Sequence, residues 1–330
     1  MAALNLKLQL AGMVMVMVMV CVIQLSYSRK LSALVEEEAV VLSYHNGPLL
    51  TGRHIHVHVI WYGKFSPLQR SIVGDFVQSL GMGMGAKAKQ PSVSTWWKTI
   101  ERYKDASTNP LPSTTPINLG KQKLDESYSL GKSLKRSDIP TLLQHALKSG
   151  ALPLPENSSN AVYLVLTSED VSVEGFCMSS CGFHANMLPS TSHGNKLLAY
   201  AWVGNSGSQC PGQCAWPFHQ PIYGPQTPPL VAPNADVGID GMIINIATLL
   251  AGAVTNPFNT GYFQGDAAAP LEAVSACAGI YGKGAYSGYP GHLLLDATTG
   301  ASFNAHGLNG RSFLLPAMWD PPTRSCKTTV

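Results

Sequence analysis

Charge is scarce in this chain. Lys and Arg number 22, Asp and Glu 19, and together they make up 12% of 330 residues, against about a quarter in an average soluble protein. The net charge of +3 is too small for a nucleic-acid footprint, and no basic stripe runs along the sequence. Several catalytic signatures are missing. Gly204-Asn205-Ser206-Gly207-Ser208 is not the Gly-x-Ser-x-Gly elbow that joins a strand to a helix in serine hydrolases. The glycine-rich stretch 279–291 has no Lys-Ser/Thr pair to cradle a phosphate. No internal repeat and no linker divides the chain.

What is present begins with an apolar N-terminus. Lys7 precedes an apolar run from Leu8 to Leu25, and the small residues Ser26 and Ser28 follow, with a second cleavage point after Ala33. This pattern predicts a secretory signal over residues 1–28, with a membrane anchor as the competing reading. Cleavage removes Lys7, lowering the net charge to +2, and leaves a domain over residues 29–330 with no membrane contact.

Cys21 leaves with the signal, so six of the 7 cysteines remain. An even number in an oxidising compartment implies disulfides. Six cysteines allow fifteen pairings. The economical one joins Cys177 to Cys181, Cys210 to Cys214 and Cys277 to Cys326. The first two pairs have three intervening residues, unlike the two-residue spacing of redox sites and most zinc ribbons. A four-cysteine zinc site is the alternative. Asn157-Ser158-Ser159 is a glycosylation sequon in a polar, Pro-rich segment.

Periodicity gives the elements. His54 to Trp61 alternates, with Ile55, Val57 and Val59 on one face and three histidines on the other. Ser66-Pro67 starts a helix with a buried stripe at Ile72, Val73, Phe76, Val77 and Leu80. A second helix is expected over Ser94–Tyr103, and short strands over 117–120 and 127–131. Ser137 opens another helix that runs to Gly150. Ala161 to Leu166 is a continuous apolar run and reads as a central strand, and 197–203 as another. Asp240 to Thr255 is the most apolar helix of the mature chain. The order predicts one α/β (α+β) domain with a mixed sheet, loop-rich and disulfide-stapled.

Candidate sites are few. His54, His56 and His58 share one strand face and could bind zinc, or simply be solvated. His184, His219, Asp240 and His306 are candidate ligands of a metal site, against ordinary hydrogen-bonded histidines and a helix-capping aspartate. Asp236 is a second capping candidate. Trp202, Trp216, Tyr223, Tyr262 and Tyr281 could form a sugar platform or anchor loops in the core.

Tyr44-His45-Asn46-Gly47-Pro48-Leu49-Leu50, Val59-Ile60-Trp61-Tyr62-Gly63-Lys64-Phe65 and Gln69-Arg70-Ser71-Ile72 resemble the plant EXORDIUM and EXORDIUM-like (phosphate-induced) family. So do Tyr200 to Asn205, Gln209 to His219, Thr255-Asn256-Pro257-Phe258, and Asn304 to Gly307 with Arg311. The resemblance implies a secreted protein of the plant cell wall or apoplast, linked to brassinosteroid-promoted expansion and growth under limited carbon. It implies no cofactor and no defined activity. The partner it implies is an unidentified wall component, peptide or receptor.

A more distant resemblance, to bacterial zincin-like proteins, rests on His45-Asn46-Gly47-Pro48, Trp61-Tyr62-Gly63, Cys181-Gly182-Phe183-His184 and Ala253-Val254-Thr255-Asn256-Pro257 in that order. It implies a zincin-like fold. In those relatives the helix carries His-Glu-Leu-Ala-Glu, where His and a residue one turn on hold zinc and the adjacent Glu activates water. Here the five positions are Thr248-Leu249-Leu250-Ala251-Gly252. The expectation is a fold that has lost its metal and acts by binding, with a rebuilt metallohydrolase as the alternative.

Overall fold

The computed structural model describes Met15, Met17 and residues 40–51, 54–81, 89–104, 117–155, 160–178, 180–190 and 196–330. The predicted cleavage points and Asn157 lie outside the described residues. Met15 and Met17 are helical. The remainder, Val41–Val330, is one compact unit.

Its elements run β1 (Ile55–Tyr62), α1 (Pro67–Leu80), α2 (Val93–Trp97), β2 (Ile117–Asp125), α3 (Asp138–Lys148), β3 (Ala161–Thr167), β4 (Gly182–Met187), β5 (Leu198–Gly204), α4 (Pro211–Cys214) and α5 (Val237–Thr255). Pairs of two- and three-residue strands decorate the C-terminal third. The five long strands form one sheet in the order β2-β1-β3-β5-β4. Neighbours are parallel except β4, which runs antiparallel at the edge. The predicted mixed sheet is therefore present, with the all-apolar β3 at its centre, buried along its whole length.

Alternation sorts the side chains between the two faces. Ile60, Tyr62, Tyr163, Val165, Tyr200 and Trp202 pack with Ile139, Leu142, Leu143 and Ala146 of α3 in one core. The opposite parity, Val57, Val59, Val162, Leu164, Ala201 and Val203, is also buried. It faces α1 and α5, which contact β2 and the β4–β5 pair respectively. Long enough and apolar enough to span a membrane, α5 is instead a core helix, 78% of its most apolar window being buried.

Local chemistry explains the boundaries. Ser66 caps α1 by accepting from Gln69 N at 3.1 Å, and Gln69 Oε1 accepts from Ser66 N at 2.9 Å. Pro67 supplies the first turn without losing a bond. Asp236 caps α5 by accepting from Ile239 N at 3.0 Å.

Three expectations are corrected. The strand expected over 127–131 is a turn, because the Asp125 carboxylate accepts from the Ser127 and Ser129 hydroxyls and from Ser129 N. Those local bonds replace a ladder, and β2 instead continues unbroken to Asp125. The helix expected over Ser94–Tyr103 turns 3₁₀ at Lys98–Arg102.

The cysteine pairing is crossed: Cys177 bonds Cys210 and Cys181 bonds Cys214, while Cys277–Cys326 is as expected. The reason lies in the spacing. Cys210 and Cys214 sit one helical turn apart at the two ends of α4, so both sulfurs point to one side, 3.8 Å apart. Cys177 and Cys181 precede β4 and meet them from the opposite strand connection. Each bridge spans a sequence separation of 33, so the pair fixes edge strand β4 to the β5–α4 connection.

Candidate functional site

The last turns of α5 carry the arrangement closest to a reaction centre. In β4, Gly182, His184 and Asn186 point toward α5, while Phe183 and Ala185 join the α3 core. A Cβ at Gly182 would lie 2.6 Å from Leu249 Cδ1, and one at Gly252 would lie 2.9 Å from His184 Nε2 and 2.7 Å from Glu272 Oε2. The helix thus packs directly against the edge strand, and glycine is needed at both contacts.

His184 Nε2 lies 2.7 Å from Glu272 Oε2. The other carboxylate oxygen, Oε1, accepts from Asn256 Nδ2 at 2.7 Å, and Asn256 Oδ1 accepts from Gly261 N at 2.8 Å. The His184 and Glu272 side chains are only 7% and 10% exposed. His184 Nδ1 is buried and has no partner among the described residues. The group is a buried acid–base pair tying β4, the C-terminal end of α5 and the 261–272 loop together.

The positions that would hold zinc do not fit a metal. Thr248 donates its hydroxyl back to Ile244 O at 2.9 Å, Leu249 packs beneath Gly182, and Gly252 has no side chain to ligate. The His184 imidazole packs against this face, and its Nε2 is engaged by Glu272. Among the described residues, no group of three or more His, Cys, Asp or Glu is placed to hold a metal ion.

The other predicted ligands are dispersed. His219 is exposed, its Nδ1 3.0 Å from Gln220 O. His306 packs at a tilt against Phe303 with centroids 4.9 Å apart, and burial lowers its pKa. Asp240 lies in the first turn of α5, where its carboxylate accepts from Asn234 N and Asn234 Nδ2 at 2.8 and 2.7 Å. Burial pushes Asp240 up to about 7, against the Asn234 bonds and the Arg311 charge. Both Asp240 carboxylate oxygens are taken by Asn234, and the cap of α5 is Asp236.

Asp240 joins a second network that sequence reasoning missed. Arg311 Nε donates to Asp75 Oδ2 at 2.6 Å, and Asn309 Nδ2 to Asp75 Oδ1 at 2.8 Å. Arg311 also reaches Ser71 Oγ at 3.0 Å and Asn234 Oδ1 at 3.4 Å. This set locks α1, the 308–311 turn and the start of α5 together.

The histidine strand is not a uniform solvated face. His54 and His56 are exposed, but His58 is buried in the middle of the sheet and its Nδ1 accepts from Lys121 N at 2.9 Å. That bond places the proton of the neutral ring on Nε2. Burial, with the neighbouring His56, lowers the His58 pKa to about 4. The ring fits because Gly120 lies opposite, at a register shift between β1 and β2. A Cβ there would be 2.4 Å from His58 Nδ1. His56, His58, Lys121 and Pro153 to Pro155 line a cleft of about 500 Å³ at the strand-start end of the sheet, on the α3 side.

The proposed sugar platform also dissolves. Trp202 and Tyr281 are core residues. Trp216 packs on Tyr281 at 5.7 Å, and Tyr262 stacks on Tyr44 at 4.9 Å. Only Tyr223 of the five is fully exposed, at 86%. Glu272, the key partner of His184, was also missed. Its signal is that it is the one acidic residue between 267 and 295, and a lone acid in a weakly polar segment needs a partner when buried.

Comparison with known proteins agrees with the motif resemblance. The pattern described as "Phosphate-induced protein 1 conserved region" matches residues 42–329. Protein EXORDIUM-like 2 of Arabidopsis thaliana is 55% identical over 303 residues, covering 91% of this chain and 93% of that protein. Protein PHOSPHATE-INDUCED 1 of Nicotiana tabacum is 55% identical over 305 residues, covering 92% and 93%. Protein EXORDIUM of Arabidopsis thaliana is 54% identical over 313 residues, covering 93% and 96%. No solved structure matches. With its conserved region spanning nearly the whole described domain, the chain belongs to the EXORDIUM, or phosphate-induced protein 1, family.

Proposed function

We propose that this is a secreted protein of the plant cell wall that promotes cell expansion and growth by binding a partner, on a zincin-like frame that has lost its metal. The observation that carries the binding reading is the chemistry of the α5 face that meets β4. Thr248, Leu249 and Gly252 occupy the positions a zinc motif would use, and β4 packs onto Leu249 and Gly252 through Gly182 and His184. Metal-assisted hydrolysis needs ligands and an open coordination position facing a cleft. A threonine bonded back to its own helix, a leucine and a glycine supply no such ligands. Three disulfides and the apolar leader support an extracellular setting. Brassinosteroid- or carbon-linked control of growth is the context that the family resemblance adds.

The test is expression of the full chain, with a small C-terminal epitope, in plant tissue. Apoplastic fluid is then collected and the protein analysed by intact mass. The reading expects a chain starting near residue 29, glycosylated at Asn157, and tissue whose expansion follows its dose equally well with His184→Ala or Glu272→Gln. Retention inside cells contradicts the location. Loss of the growth effect in well-folded variants of His184 and Glu272 contradicts binding without catalysis.

A further inference from the structure

Two interlocked loops carry an aromatic surface that no part of the fold uses. Residues 222–229, Ile-Tyr-Gly-Pro-Gln-Thr-Pro-Pro, are exposed throughout. Gln226 Nε2 braces this loop from inside by donating to Pro221 O and Gly224 O, both at 3.1 Å. Thr227 Oγ1 donates to Gly288 O at 2.9 Å, which fastens it to a second loop. There, Tyr286 and Tyr289 exchange backbone bonds of 3.0 and 2.7 Å around a tight turn at Ser287-Gly288. Gly288 has φ of +85° and lies so close to Pro225 that a Cβ would be 2.5 Å away. The turn therefore requires glycine on both grounds.

The paired tyrosines project from that turn with ring centroids 5.0 Å apart. His292 stands edge-on to Tyr289 at 6.1 Å. Tyr223 is 86%, Tyr286 70% and Ile222 58% exposed. Solvent-exposed aromatic groups on a braced backbone are characteristic of a contact surface, because tyrosine offers a large face at low ordering cost.

We infer that this surface, Tyr223, Tyr286, Tyr289 and His292, binds an uncharged β-linked polysaccharide. The inference rests on the extracellular binding role proposed above and names its ligand class. Charge complementarity selects the occupant. Segments 221–231 and 280–295 contain no acidic residue and one basic residue, Lys283. What they present is ring faces rimmed by phenol, hydroxyl, amide and imidazole groups. The axial C–H faces of a neutral β-linked pyranose match the rings, and its equatorial hydroxyls match the neutral rim. A polyuronate would need several cations, which this surface lacks. A proline-rich peptide would need an aromatic-lined groove, whereas here the prolines belong to the protein and stiffen the loop that carries Tyr223.

The test uses the full-length secreted protein in affinity electrophoresis. Gels contain xyloglucan, polygalacturonate or no polymer, and a proline-rich peptide is titrated separately. Retardation is expected in xyloglucan alone, with the apparent Kd weakened at least tenfold by Y286A and by Y223A. L68A, which removes an exposed leucine on α1, should leave it unchanged. Equal melting temperatures exclude unfolding as the cause. No retardation in xyloglucan, retardation unaffected by the Y223A/Y286A double variant, or binding only to polygalacturonate or the peptide would each overturn the inference. A protein that is secreted and promotes expansion but ignores glucan overturns this inference alone. A protein that never leaves the cell overturns the reading beneath it.

Discussion

Replacing the crossed disulfides one at a time separates this structure from the local pairing that its sequence suggests. In the chain-entropy treatment, one bridge over a separation of 33 residues restricts the unfolded chain by about 3.7 kcal/mol. The two loops overlap almost completely. With Cys181–Cys214 in place, Cys177–Cys210 closes a ring of only about eight residues, worth about 2.5 kcal/mol. Removing one pair should therefore cost about 2.5 kcal/mol and removing both about 6 kcal/mol. Two local four-residue loops would each give about 1.9 kcal/mol, additively. The distinguishing result is that the second removal costs more than the first. Denaturant titrations of Cys177→Ser/Cys210→Ser, Cys181→Ser/Cys214→Ser and the quadruple variant measure it. A non-reducing tryptic digest checks connectivity directly. Lys196 is the only cleavage site between the two cysteine pairs, so crossed bridges join fragment 149–196 to fragment 197–283. Cys277–Cys326 adds 325–327. Release of 149–196 without reduction would refute the reasoning.

Further predictions concern buried polar groups. Gly120→Ala should destabilise by about 1–3 kcal/mol, because its Cβ would overlap the His58 ring. His58→Ala should recover most of that loss in a double-mutant cycle read by thermal melts. His58 should titrate near pH 4 in histidine NMR. Its folded pKa is depressed, so the stability it contributes is full above about 6.5 and is lost as pH falls toward 4. Asp240 has the opposite sign. With its pKa raised to about 7, the folded chain keeps a proton that the unfolded chain has lost. The associated stability is full below about pH 4 and fades as pH rises through 7. Wild type should thus lose up to about 1.4 kcal/mol per pH unit relative to Asp240→Asn between those limits, and parallel pH curves would contradict this. Glu272→Ala leaves His184 Nε2 and Asn256 Nδ2 buried without their partner, a cost of about 2–4 kcal/mol in chemical denaturation, which Glu272→Gln should partly recover.

Much of the frame was legible because burial writes itself into periodicity. The all-apolar 161–166 run became the central strand, and Ser66-Pro67 with its stripe became α1. The sheet's edge was not legible. In β4, Gly-Phe-His-Ala-Asn-Met shows no simple alternation, because one face meets aromatics and the other meets the glycine-lined turns of α5. Disulfide connectivity was equally hidden. Spacing shows which cysteines share a side of the chain, while the partner depends on how distant segments fold together. His184 was legible as a candidate, but Glu272 lies 88 residues away, and no local pattern links the two. Of the aromatic candidates only Tyr223 is exposed, and Tyr286 was missed, because composition does not distinguish an anchor from a platform.

Metal content tests the central claim most directly, namely that α5 supports binding on a frame without catalytic zinc. The protein is secreted from plant cells, purified without chelator, dialysed against metal-free buffer and measured by inductively coupled plasma mass spectrometry. The account predicts well under one tenth of a zinc per chain, unchanged in His184→Ala. About one zinc per chain, lost in His184→Ala while the fold is retained, would contradict it.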